Sequence, residues 1–100
     1  MIILGTGIVL YKNNTGIFDS EGKELKLYAT QQKDGWGYRI ALAEKNLILQ
    51  DHIPAISGQQ PFSSEADALK TGTLVLHKIQ SGKLPSVTLH ELDSLGIRHQ

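Results

Sequence analysis

Apolar side chains in this chain keep two different periods, and the change from one to the other near residue 63 limits the folds open to it. From Leu25 onward they first alternate in steps of two. Leu25, Leu27 and Ala29 alternate with Lys26, Tyr28 and Thr30, the pattern of a strand with one buried face. Asp34-Gly35 supplies a hairpin turn signal. Tyr38, Ile40 and Leu42 then share a face opposite Arg39, Ala41 and Ala43. Glu44-Lys45-Asn46 makes the next turn, and Leu47 to Gln50 form a short third strand. Consecutive strands joined by short turns read as an antiparallel meander. From Asp51 to Phe62 no period is visible. Ile53, Ala55, Ile56 and Phe62 are apolar enough to pin this stretch to a core as an ordered loop.

After residue 63 the spacing becomes helical. Ser64 and Asp67 fit a capping box, and Leu69, Gly72, Thr73, Leu76 and Ile79 recur along one stripe. Gly82 stands where a C-terminal cap belongs. A helix over 64–81 spans about 27 Å, enough to cross a three-stranded sheet. Glycine inside a helix costs about 1 kcal/mol relative to alanine. Gly72 therefore predicts a close approach to the sheet or to a bulky ring, with Trp36 the candidate ring. Leu84-Pro85 breaks the chain. Thr88 and Glu91 make a second capping pattern for a short helix carrying Leu89, Leu92 and Leu95, stopped by Gly96-Ile97. Strands followed by helices predict an α+β domain over residues 25–100. Its architecture is a three-stranded antiparallel meander packed against one long helix, with a short C-terminal helix.

The chain before that domain divides in two. Residues 1–11 carry no charge but are about half the 20 or so apolar residues that a membrane-spanning helix needs. The run matches the length of a signal-peptide core, yet no basic residue precedes it and no small-x-small cleavage site follows. Ile2, Ile3, Ile8 and Val9 are β-branched and suit a buried first strand. A first strand and the trailing end of an export or anchor segment are both compatible with these residues. Residues 12–24 hold turn formers and charges, with Ile17 and Phe18 the apolar exceptions, and read as a tether or long loop.

Composition narrows the function. One hundred residues suit a single compact domain. Ten basic groups balance ten acidic ones, and neither half of the chain is strongly basic, which argues against a nucleic-acid partner. Without cysteine there is no disulfide, thiolate zinc site or thiol nucleophile. His52, His77, His90 and His99 show no metal-ligand spacing, so no metal site and no cofactor are expected. Gly5-Thr6-Gly7 lacks the lysine and the context of a phosphate loop. A catalytic reading has one foothold: Asp51 and His52 share a loop with Ser57 and Ser63, which allows a small hydrolase with a serine nucleophile. Adjacent Asp and His side chains in extended backbone point opposite ways, however, and no G-x-S-x-G elbow is present.

The residues suited to recognition are more coherent. Gly35-Trp36-Gly37-Tyr38 sets two aromatics at a hairpin, either as binding anchors or as core. Gln50, Asp51, His52, Gln59 and Gln60 flank or occupy the Asp51–Phe62 loop, and loops on a rigid scaffold are common carriers of function. The candidate surface is therefore Trp36, Tyr38, Gln50, Asp51, His52, Gln59 and Gln60, with no catalytic residue assigned.

Four segments taken together carry a resemblance. They are Gly35-Trp36-Gly37-Tyr38-Arg39-Ile40, Gln50-Asp51-His52-Ile53-Pro54-Ala55-Ile56-Ser57-Gly58, Phe62-Ser63-Ser64 with Asp67-Ala68, and Leu84-Pro85-Ser86-Val87-Thr88 through Glu91-Leu92-Asp93-Ser94-Leu95-Gly96-Ile97. In that order they resemble an uncharacterised bacterial family, domain of unknown function 4907. The resemblance implies a small exported or membrane-tethered protein with a hydrophobic N-terminus, and it transfers no catalytic residues. The expectation is an envelope-associated binding or interaction module without catalysis, tethered through residues 1–11 and meeting a protein or an envelope ligand. The alternatives are the small hydrolase, a structural subunit of a larger complex, and a cytoplasmic location.

Overall fold

The computed structural model describes residues 8–10, 24–43 and 45–99. Residues 1–7 of the apolar run, Tyr11 and the expected tether up to residue 23 lie outside the described residues. Four strands, β1 (Ile8–Leu10), β2 (Leu25–Gln32), β3 (Gly35–Leu42) and β4 (Lys45–Gln50), form one sheet in the order β1-β2-β3-β4. Every neighbouring pair is antiparallel. Strands β2 to β4 are the expected meander. Ile8–Leu10 adds a strand at its edge, Ile8 pairing with Thr30 and Leu10 with Tyr28.

Both hairpins differ in detail from the sequence expectation. Gln32 pairs with Gly35, so the first turn is Lys33-Asp34 and not Asp34-Gly35. Gly35 is needed inside the strand because a Cβ there would lie 2.4 Å from the Phe62 carbonyl oxygen. At the second hairpin β4 begins at Lys45, two residues before the expected start at Leu47. Ala43 takes a left-handed backbone with φ of 55°. Ile40 pairs with Ile48 but Ala41 with Asn46, so a bulge leaves Leu47 without a partner in β3. The bulge breaks the two-residue alternation, which is why the first residues of this strand read as a turn.

Helix α1 (Glu65–Gln80) lies against β2 and β3. At its start Ser64 Oγ accepts from Asp67 N at 3.1 Å. Only that arm of the expected capping box forms there. The Asp67 carboxylate instead accepts from Ser63 Oγ and from the Arg98 amide, both at 3.3 Å, and so holds the C-terminal segment to the helix. At the other end Gly82 N–H bonds to Ile79 O and Lys83 N–H to Lys78 O, with Gly82 at φ of 73°. These are the paired bonds of a Schellman stop, at the glycine the sequence marks. Helix α2 (Leu89–Leu95) opens on a complete capping box between Thr88 and Glu91 and stops at Gly96.

The core lies between the sheet and α1. Leu25, Leu27, Ala29, Tyr38 and Ile40 on the strands meet Ala68, Val75 and Leu76 on α1, with Ile53, Phe62, Leu92 and Ile97 closing the sides. Gly72 is a point of close approach to the sheet, as expected, but the ring beside it is not that of Trp36. A Cβ on Gly72 would lie 2.6 Å from Leu27 Cδ1 and 3.2 Å from Tyr38 Cγ. Trp36 sits two residues nearer the hairpin tip, half-buried at the margin of the core. On the opposite face of the sheet the Arg39 guanidinium lies 4.5 Å over the Tyr28 ring.

Candidate functional site

A polar cleft opens where the β2–β3 turn meets the loop that follows β4. Three backbone features build it. Trp36 and Phe62 exchange N–H···O bonds of 2.9 and 2.8 Å, an isolated bridge that sews the end of the loop to β3. Ile53 N donates to Gln60 O at 2.8 Å and closes the loop on itself. Gly37 lets the start of the loop press against β3, since a Cβ there would lie 2.5 Å from Gln50 O and 2.9 Å from Asp51 Cα. Buried Ile53 and Phe62 then fix the loop to the core, with Ile56 half-buried beside them, while Ala55 stays exposed. Ala55 and Gly58 take left-handed backbones, with φ of 65° and 86°, and carry the chain round the loop.

The cleft encloses about 160 Å³ and is lined by Gln32, Lys33, Asp34, Asp51, His52, Gln59 and Pro61. Gln32 organises its floor. Its Nε2 donates to Thr30 Oγ1 at 3.1 Å and to Asp51 Oδ1 at 3.2 Å. That leaves the Gln32 carbonyl oxygen and Asp51 Oδ2 as acceptors not used by this pair. Gln50 Nε2 donates to the His52 carbonyl at 2.6 Å and sets the backbone beneath the histidine.

The structure divides the expected surface residues. Asp51, His52 and Gln59 converge in the cleft. Gln50 stands behind it as a support. Gln60 is half-buried and contributes its backbone carbonyl to loop closure. Trp36 is half-buried and joined to Phe62 through its backbone. Tyr38 does not belong to a surface: it is 2% exposed, its ring 6.0 Å from that of Phe62. Burial pushes its phenol well above the ordinary tyrosine value. Gln32, Lys33 and Pro61 are lining residues that sequence reasoning missed, and Asp34 enters the sequence reading only as part of a hairpin turn signal. Their signal was position: the end of a strand, a turn and the residue before the returning Phe62.

No hydrogen bond joins His52 to Asp51 or to a serine among the described residues. Asp51 Oδ1 is taken by Gln32, and Ser63 Oγ by Asp67. Among the described residues no group of three or more histidine or acidic side chains is placed to hold a metal ion.

Residues 28–94 match the family described as Domain of unknown function (DUF4907). The chain belongs to this family. The matched span runs from within β2 into α2, so the DUF4907 domain includes the meander, the loop, the cleft and the long helix. No curated protein and no solved structure matches the chain. Among the described residues of this DUF4907 domain no helix is long and apolar enough to cross a membrane.

Proposed function

We propose that this DUF4907 domain is a binding module whose cleft takes a hydrogen-bond-donating group of a larger partner. One observation carries the reading. Two segments far apart in sequence, Gln32–Asp34 and Asp51–Pro61, bring a floor of acceptors together at the edge of a rigid core. With Lys33 set against Asp34 and Asp51, the lining is acidic by one charge. It suits an amide, hydroxyl or ammonium group better than an anion. At about 160 Å³ the cleft is smaller than the roughly 300–1,000 Å³ of small-molecule sites, so it fits one side chain or one sugar unit of a protein or envelope polymer. Binding is favoured over the hydrolase because Asp51, His52 and the loop serines are engaged elsewhere or not joined.

The cell envelope is the proposed place of action. What supports it is the uncharged run over residues 1–11 followed by a polar stretch. The pairing of Ile8–Leu10 with β2 weighs against a membrane anchor through these residues, so the envelope reading rests on export more than on tethering. Fractionation of the native chain decides this part: recovery in the soluble cytosol overturns it.

The cleft itself is tested with a photo-crosslinking residue at exposed Gln59 in the native cell, with Lys70 on α1 as the control position. A partner captured at Gln59 and lost in the Asp51→Asn chain is the expected result. Capture that is equal at both positions, or indifferent to Asp51, removes the proposal.

A further inference from the structure

The register lines up Tyr28, Arg39 and Leu49 as one row across β2, β3 and β4, on the face of the sheet away from α1. Arg39 is the charged member of that row. Its guanidinium carbon lies 4.5 Å from the centre of the Tyr28 ring, so the ring covers one side of the ion and holds it in place. Nothing among the described residues answers the charge. The ion pairs there are Lys26–Glu24, Lys78–Glu91 and His99–Asp93, and none includes Arg39. Asp51, which folds over neighbouring Gly37, gives its Oδ1 to Gln32 instead. Arg39 Nε is shut off from water and has no hydrogen-bond partner. A buried donor left unpaired is costly, and most costly on a charged group.

We propose that Arg39 anchors a carboxylate site, whose occupant is an acidic side chain on an apolar stretch of a protein partner. A guanidinium presents its N–H groups in its own plane, in pairs along its edges, and each pair matches the two oxygens of a carboxylate. Tyr28 takes the face of the ion, so ring and carboxylate do not compete. The residue as a whole is half-buried and not enclosed. A small turn of its flexible stem brings the Nε edge to the surface, where a carboxylate supplies the acceptor that Nε lacks.

Charge and surroundings choose among oxyanions. Lys26 shares the face, but its Nζ lies 3.8 Å from Glu24, and Asp51 stands just past Gly37. Little positive charge is left over, which suits the single charge of a carboxylate better than a phosphate. Leu49, next to Arg39 in the row, is 60% exposed, and Leu47 on the same strand is 46% exposed. An arginine and a tyrosine bordered by apolar groups that keep water out have the make-up of a protein-interface anchor. This site needs an acceptor where the cleft needs a donor, so it stands or falls apart from the cleft.

Arg39 and Arg98 are the two arginines of the chain. Nitrogen-15 NMR of their Nε–H groups therefore follows the site and an internal control in one spectrum. The probe is the peptide acetyl-Leu-Glu-Leu-amide, added to the full chain and compared with acetyl-Leu-Gln-Leu-amide, sodium octanoate and inorganic phosphate. The glutamate peptide is expected to shift the Arg39 signal saturably, with Kd of about 10 mM or tighter, and to bind about tenfold more tightly than the glutamine peptide. The Arg98 signal is expected to stay in place. Arg39→Lys keeps the charge but removes the fork. It is expected to weaken binding about tenfold, followed at the Tyr28 and Leu49 backbone amides, and Leu49→Ser about threefold. Circular dichroism checks the fold, and the exposed Leu49 position tests the site even where Arg39→Lys does not fold. Equal binding of the two peptides, or an Arg98 signal that moves as far as that of Arg39, overturns the proposal. Octanoate or phosphate binding as tightly as the glutamate peptide also overturns it, by assigning the arginine to a lipid or a phosphate.

Discussion

At the scale of single residues, the glycines set the distances on which the domain depends. Gly72 sits in the interior of α1, where alanine would gain about 1 kcal/mol of helix propensity. The added methyl would meet Leu27 Cδ1 at 2.6 Å and Tyr38 Cγ at 3.2 Å. Leu27 can turn its terminal methyl aside, but the Tyr38 ring is buried and has no room to retreat. Overpacking of this kind costs about 1–3 kcal/mol. The clash should outweigh the propensity, and Gly72→Ala should lose about 1 kcal/mol net. For a domain of this size that is a fall of about 4–8 °C in Tm, measured by thermal unfolding. An unchanged or raised Tm would show that α1 can lift from the sheet at no cost. Gly72 was legible in the sequence as a contact point because a helix-weakening residue needs a reason. Its partner was not, because Trp36 and Tyr38 share a strand face and only the crossing position of α1 chooses between them.

Among the elements, α2 is held more by charge and caps than by burial, since Leu92 is its one buried side chain. Lys78 Nζ lies 2.8 Å from Glu91 Oε2 and donates to the Ser86 carbonyl at 2.6 Å, which ties α1, the connecting segment and α2 together. The Lys78 hydrogen bond, followed by the Thr88 amide, holds the Glu91 carboxyl below its ordinary value of 4.5. A carboxyl depressed on folding stabilises the native state above its unfolded pKa. That contribution is lost as the pH falls through the lower, folded value. Urea midpoints followed downward from about pH 7 should therefore drop through the acid range more steeply for the unaltered chain than for Lys78→Ala. Parallel curves would show that the pair contributes nothing. Solvent screening keeps the effect small, as for other surface pairs. The elements themselves were legible where caps punctuate them: Ser64, Gly82, Thr88 and Gly96 all mark real helix ends. The start of β4 was not, because polar Lys45 and Asn46 ahead of a bulge imitate a turn.

At the scale of the whole molecule, the loop from Asp51 to Phe62 joins the core to the candidate site, and Phe62 is the joint. Its ring is fully buried against Tyr38 and its backbone is bridged to Trp36. This explains why the cleft was only half legible. The sequence places Asp51, His52 and Gln59 in a loop, but the wall formed by Gln32–Asp34 exists only once Phe62 returns to β3 and the β2–β3 register is set. The same joint makes core and site one cooperative unit. Removing a buried phenylalanine ring costs about 3–5 kcal/mol, against a total of about 5–15 kcal/mol for a typical domain. Phe62→Ala should therefore lower the denaturant midpoint by about a fifth or more. Leu84→Ala, at a side chain 82% exposed, should stay within about 0.5 kcal/mol of the unaltered chain. Trp36 is the only tryptophan and lies at the bridge, so its fluorescence reports the loop while far-ultraviolet circular dichroism reports α1 and the sheet. If the loop is part of the cooperative unit, the two transitions coincide in the unaltered chain and move together in Phe62→Ala. A fluorescence transition that precedes the loss of helix would instead show the loop opening on its own, and the cleft would then be a site ordered by its partner and not in advance of it.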